Sequence, residues 1–176
     1  MKQIINNKYK MTKILLVNPP IYDFAAYDLW AKPLGLLYLS SILKQQNIEV
    51  QFFDYMDRNY PGITKQESNK YGCGHYLQQE IEKPKVIKNI RRKYHRYGIP
   101  SDIAKKFFQN IEKPDIIIIG SIMTYWYLGV IEVSSLLKKI FPDYKYISLD
   151  DGSICARRAC LISEEFKYGI CINLFS

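Results

Sequence analysis

The side chains with chemistry to offer are few and scattered along this 176-residue chain. Four cysteines (Cys73, Cys155, Cys160, Cys171) and two histidines (His75, His95) are the only soft metal ligands. A closed zinc site takes four ligands, often as two close pairs. Cys155 and Cys160 enclose four residues and Cys73 shares a "CGH" turn with His75, so no such set forms and reduced thiols are expected. Asp150 and Asp151 adjoin in "LDDGSIC", but a phospho-acceptor cluster needs an acidic pair after the first strand, where "NPP" stands. Ser121 and Thr124 form an S-x-x-T that serves either a ligand or the cap of the next helix. Arg91, Arg92, Lys93 and Arg96, interleaved with Tyr94 and Tyr97, have the make-up of an RNA surface, or of a solvated arm facing another domain.

Positioning these groups falls to a repeating pattern of short apolar runs and amphipathic stretches. "KILLVN" (13–18), "EVQFFD" (49–54), "DIIIIG" (115–120) and "YKYISL" (144–149) read as strands buried on both faces. Helices are expected in "KPLGLLYLSSILKQQN", with Pro33 in its first turn and Asn47 as its stop, and in "SDIAKKFFQNIE" (101–112), with Ser101 as N-cap. A third helix is expected in "GVIEVSSLLKKIF" (129–141), ending at Pro142. Strand and helix alternate, which with right-handed crossovers gives a doubly wound parallel sheet. The expected fold is α/β, Rossmann-like (flavodoxin-like), with strand order 2-1-3-4. A helix in "ARRACLISEEF" and a fifth strand in "GICINLF" (169–175) extend it.

Length favours one domain over 13–176 behind a flexible tail of residues 1–12. Residues 55–100 form a long basic insertion without clear periodicity, which reads as a lid or docking arm. With 48% hydrophobic and 24% charged residues and no apolar run near the roughly 20 that span a bilayer, a soluble domain is expected. The basic N-terminus leads into a strand, not a secretory apolar core, so the cytoplasm is the expected compartment. A net charge of +8 favours an anionic partner without naming one.

Ligands of open α/β sheets bind outside the carboxyl ends of the strands, where strand order reverses. That crevice lies between the first and third strands. It is faced by "NPPIYDFAAYDLWAKP" and "GSIMTYWYLG" and bordered by "DDGSIC". These loops carry Tyr22, Phe24, Tyr27, Trp30, Tyr125, Trp126 and Tyr127, with Asn18, Ser121 and Thr124 as polar groups. No G-x-G-x-x-G or G-x-x-x-x-G-K-[ST] occurs, and Pro19 and Pro20 have no backbone N–H to give a phosphate. Two prolines make a stiff, splayed edge suited to a large flat ligand.

"KILLVNPPIYDFAAYDLWAKPLGLLYLSSILKQQNIEVQFFD" resembles the N-terminal cobalamin-binding domain of cobalamin-dependent radical-SAM enzymes, in its V-N-P-P strand end, P-L-G-L helix start and strand ending in Asp. "PDIIIIGSIMTYWYLGVIEVSSLLKKIFP" resembles the third strand and helix of that domain, including the S-x-x-T. The resemblance implies cobalamin at the carboxyl edge of the sheet. Asn18, Pro19, Pro20, Pro33, Leu34, Gly35, Ser121, Ile122, Met123, Thr124, Asp150 and Gly152 would line it. It also implies a radical-SAM barrel as partner, in the same or a separate chain.

The chain departs from that family in three ways. It lacks the D-x-H-x-x-G that donates an axial histidine, so cobalt would be held without one. It has Asp150 and Asp151 where paired glycines are usual. It has no C-x-x-x-C-x-x-C for an iron–sulfur cluster, so no turnover of its own is expected. The alternative is a non-enzymatic interaction or RNA-binding module on the same fold, although nucleic acid is the less favoured partner.

Overall fold

A computed structural model describes residues 11–29, 32–142, 145–150 and 170–173. At its centre, β1 (Lys13–Asn18) pairs in parallel with β4 (Glu49–Asp54) on one side and β8 (Ile116–Ser121) on the other. The strands β9 (Lys145–Asp150) and β10 (Ile170–Asn173) continue the parallel sheet to give the order β10-β9-β8-β1-β4. The expected fourth helix falls outside the described residues.

Alternation along β1 explains the two layers. Leu15 and Val17 face one side, where α2 (Ser101–Asn110) and α3 (Tyr127–Ile140) bring Phe108, Val130, Val133 and Leu137. Ile14 and Leu16 face the other, against Leu36 of α1 (Leu34–Gln45). Each such side chain contributes roughly 1.5–3 kcal/mol on leaving water, which is why the apolar runs became central strands. α1 starts after Pro33, whose carbonyl accepts the Leu37 N–H at 3.0 Å, and it ends before Asn47 at φ 57°. Asparagine tolerates that left-handed geometry well. No helix among the described residues is long and apolar enough to cross a membrane.

Two expectations need correcting. Ser101 does not cap α2: the N-cap position is Pro100, and the Ser101 hydroxyl donates to Glu132 instead. Nor is the insertion irregular. The first-strand loop contains β2 (Ile21–Asp23) and β3 (Tyr27–Asp28), and the insertion contains β5 (Gly74–His75), β6 (Gln78–Ile81) and β7 (Tyr94–Tyr97). These build a three-stranded antiparallel sheet, β2-β7-β6, and a small β3-β5 pair. Gly98 closes the insertion at φ 115°, where a Cβ would lie 2.6 Å from the Tyr55 carbonyl oxygen. Only glycine meets both conditions without strain.

Two buried arginines hold this second layer in place. Arg58 donates to the carbonyls of His75 (2.9 Å), Gly72 (3.0 Å) and Glu67 (2.6 Å), tying one turn of the insertion around itself. Arg96 donates two hydrogen bonds of 2.8 Å to the Glu132 carboxylate and one of 3.0 Å to the Ile99 carbonyl. This forked pairing fixes β7 to α3, because the planar guanidinium matches a carboxylate at two points.

Candidate functional site

The carboxyl ends of β1 and β8 open onto a cavity of about 270 Å³. Its walls come from the end of β1 (Asn18, Pro19, Pro20), from Ile21, Ala25, Ala26 and Tyr27, and from the turn after β8 (Ser121, Ile122, Met123), with Trp126 behind. Met56 and Tyr76 close it from the insertion. The diproline edge is packed as well as stiff. Pro19 and Pro20 are both buried, and α3 approaches so closely that a Cβ on Gly129 would overlap the Pro20 carbonyl oxygen.

Strand alternation sorts the groups around β2. Ile21 faces the cavity, and the Asp23 carboxylate accepts the Trp126 indole N–H at 2.9 Å. Tyr22, on the opposite face of the strand, donates to Glu132 at 2.6 Å. Burial alone would raise the Glu132 carboxyl, but the Arg96 guanidinium outweighs it and holds the group below its usual range. Burial, reinforced by Glu132, pushes the Tyr22 phenol well up, so it stays a proton donor at neutral pH.

Asn18 is already partnered. Its amide nitrogen donates to the Asp54 carboxylate at 2.6 Å, and the same oxygen accepts the Met56 N–H at 2.9 Å. Burial raises the Asp54 carboxyl above its ordinary value in spite of both donors. Asn18 and Asp54 are register partners at the ends of β1 and β4, so this contact pins the strand ends together.

No family model, curated protein or solved structure matches this chain.

Of the residues marked out by sequence, Asn18, Pro19, Pro20, Ser121, Ile122 and Met123 line the cavity together. Pro33, Leu34 and Gly35 do not: Pro33 is buried under α1, while Leu34 and Gly35 face outward. Thr124 begins a short 3-10 turn, Thr124–Trp126, and its side chain lies outside the described residues. Asp150 ends β9 in register with Ser121, and its side chain is not described. Gly152 and Asp151 fall outside the described residues, as do Cys155 and Cys160.

Met56 and Tyr76 were missed as wall residues, because both belong to the insertion. No local sequence pattern marks them: Met56 follows Asp54 closely, but Tyr76 comes from a distant part of the insertion. Neither histidine lines the cavity. His75 is exposed at the rim, its ring edge-on to the cavity residue Tyr27 at 4.9 Å, and His95 pairs with Asp23 across β7 and β2. Among the described residues no cluster of three or more His, Cys, Asp or Glu can hold a metal, and Cys73 is a buried free thiol.

The basic run is a solvated arm only in its first half, where Arg91, Arg92 and Lys93 are exposed. Tyr94, Arg96 and Tyr97 are buried, Arg96 is taken by Glu132, and Lys93 pairs with Glu80 at 2.6 Å. Arg92 lies 6.0 Å over the Phe24 ring. Half of what looked like a phosphate-binding surface is internal cement.

Proposed function

We propose that this domain binds a bulky planar cofactor at the carboxyl edge of a Rossmann-like, flavodoxin-like sheet, and that the cofactor is cobalamin. The observation that carries the reading is the cavity at the strand-order reversal, walled by two prolines, two alanines, methionines and aromatic rings. Exposed apolar side chains surround that edge of the sheet: Leu29, Leu34, Ile122, Met123 and Tyr125. About 270 Å³ is below the usual range of roughly 300–1,000 Å³ for whole-ligand pockets. It suits one ring system of a larger molecule, with the remainder resting on the apolar rim.

The wall chemistry fits such a group. Flat apolar surfaces favour a planar ring. The chain's role in this reading is to wall, orient and exclude water, while cobalamin brings a cobalt centre able to carry a methyl group. Asn18, Pro19, Pro20 and Ser121 to Met123 would hold the cofactor. A radical-SAM barrel, in cis or in trans, would close over the exposed apolar residues at that edge.

The test is retention. Purified protein incubated with hydroxocobalamin and desalted is expected to keep corrin absorbance near one equivalent, and Ala25→Trp, which fills the cavity from an exposed position, is expected to lose most of it. Absence of corrin absorbance from the wild-type protein would refute the reading.

A further inference from the structure

We propose that the loop of the β6–β7 hairpin, residues 82–93, is a docking tip for an anionic lipid surface, independent of what the cavity holds. None of its residues lines that cavity. It carries six cations (Lys83, Lys85, Lys88, Arg91, Arg92, Lys93) and one acid, Glu82. Two of the cations are spent within the arm: Lys83 donates to the Ile90 carbonyl at 2.7 Å, and Lys93 pairs with Glu80 at 2.6 Å. Arg92 rests over the Phe24 ring. Lys85, Lys88 and Arg91 are exposed and make no ion pair among the described residues. The fold does not need their charge. The tip is closed by its own backbone, since the Pro84 carbonyl accepts the Ile87 N–H at 3.0 Å and the Ile87 carbonyl accepts the Ile90 N–H at 3.1 Å, around a 3-10 turn at Lys85–Ile87. A loop already ordered has less freedom to lose on docking.

The apolar side chains of the tip decide which anion it fits. Val86, at the centre of the turn, is 94% exposed, and Ile90 is 41% exposed. Aliphatic groups set among lysines gain by leaving water where the partner is apolar beneath its charge, as a bilayer is below its headgroups. Nucleic acid asks instead for rings on which bases stack. Residues 82–93 contain no aromatic side chain, and the tyrosines that follow, Tyr94 and Tyr97, are buried, with the Tyr94 hydroxyl donating to the Tyr22 carbonyl at 3.0 Å. Anionic lipid attracts clusters of about four to eight Lys and Arg, each worth roughly fivefold in binding close to the surface. A cluster of that size with one or two aliphatic side chains makes a reversible surface contact, not an anchor.

The experiment is co-sedimentation of the full chain with vesicles of phosphatidylcholine alone or with about 30% phosphatidylserine, at about 0.15 M salt. The protein is expected to pellet with the anionic vesicles and to stay in solution with the neutral ones. Replacing Lys85, Lys88 and Arg91 together by Gln is expected to weaken binding about a hundredfold. Replacing Lys105, Lys106 and Lys138 by Gln removes the same charge from the exposed sides of α2 and α3 and is expected to change binding by no more than about twofold. Val86→Ser keeps every charge and is expected to cost about tenfold. Carbon-13 spectra of the methionine methyl groups, with Met56 and Met123 reporting on the cavity wall, check that each variant keeps the fold.

Equal pelleting with neutral and anionic vesicles, or none with either, would overturn the proposal. So would equal losses from the two triple replacements, which would make the contact a matter of net charge alone, or an unchanged affinity in Val86→Ser. Binding of a short single-stranded RNA that disappears with Lys85, Lys88 and Arg91, beside no binding to anionic vesicles, would assign the tip to nucleic acid instead.

Discussion

The two faces of β2, three residues long, border opposite kinds of interior. On one face Tyr22 enters a junction where Arg96, Glu132, Ser101 and Tyr22 satisfy one another across the insertion and α3. On the other, Ile21 borders a largely apolar cavity in which Asn18, Ser121 and Trp126 already donate to groups of the protein itself. A saturated polar cluster in a low-dielectric interior locks a geometry, because each member is costly to leave alone. A cavity with apolar walls leaves space that a ligand can fill. The difference shows how a strand of three residues can serve both a scaffold and a site.

The strongest way to break the comparison is to unpair the junction. Glu132→Ala leaves the Arg96 guanidinium buried without its carboxylate, and about 3–5 kcal/mol of stability is expected to go, measured by urea denaturation. The same variant should release the insertion, so protease cutting between residues 55 and 100 is expected to accelerate. If stability changes by less than 1 kcal/mol, a threshold taken from ordinary surface pairs, the junction is not the latch described.

A smaller effect is expected on the cavity side. Gly129→Ala places a methyl group against the Pro20 carbonyl, forcing the diproline edge away from α3. The cost should be about 1–3 kcal/mol, as for other overpacked interiors. The Met56 and Met123 methyl signals are expected to move as the wall shifts, and unchanged signals would show that the edge is not clamped.

The smallest effect sharpens the role of Asp54. Asp54→Asn keeps an oxygen for the Asn18 and Met56 donors, so at pH 7 the change is expected to stay within about 1 kcal/mol. The pH dependence is more telling. Burial raises the folded-state value above the ordinary 3.8, so the folded protein binds this proton more tightly than the unfolded chain does. The wild-type protein should therefore gain stability relative to Asp54→Asn as pH falls from the folded-state value to 3.8, and no further below it. Parallel denaturation curves for the two proteins across that interval would contradict the assignment.

The central sheet was legible because it follows from local pattern. "KILLVN" and "EVQFFD" became β1 and β4 at the expected residues, and "DIIIIG" became β8 one residue later. A run of branched apolar residues has few ways to leave water except as a strand covered on both sides. The insertion was not legible. Tyr94, His95, Arg96 and Tyr97 show no apolar alternation, and they form a strand only because β2, more than 70 residues earlier, supplies its partner.

The site was half legible for the same reason. Loop position alone brought Asn18, Pro19, Pro20 and Ser121 to Met123 together, since strand order fixes which loops meet. Sequence could not show that Asn18 is held by Asp54, that Gly129 clears space for Pro20, or that Met56 and Tyr76 complete the wall.

What the sequence by itself determined was the alternation of parallel strands and helices, the stiff edge lacking N–H donors at Pro19 and Pro20, and the loops that face each other across the strand-order reversal. Tertiary structure decided the polarity of what those loops enclose. Whether a serine, an asparagine or an arginine offers a donor depends on which distant acceptor has already taken it, and residue type alone does not contain that allocation.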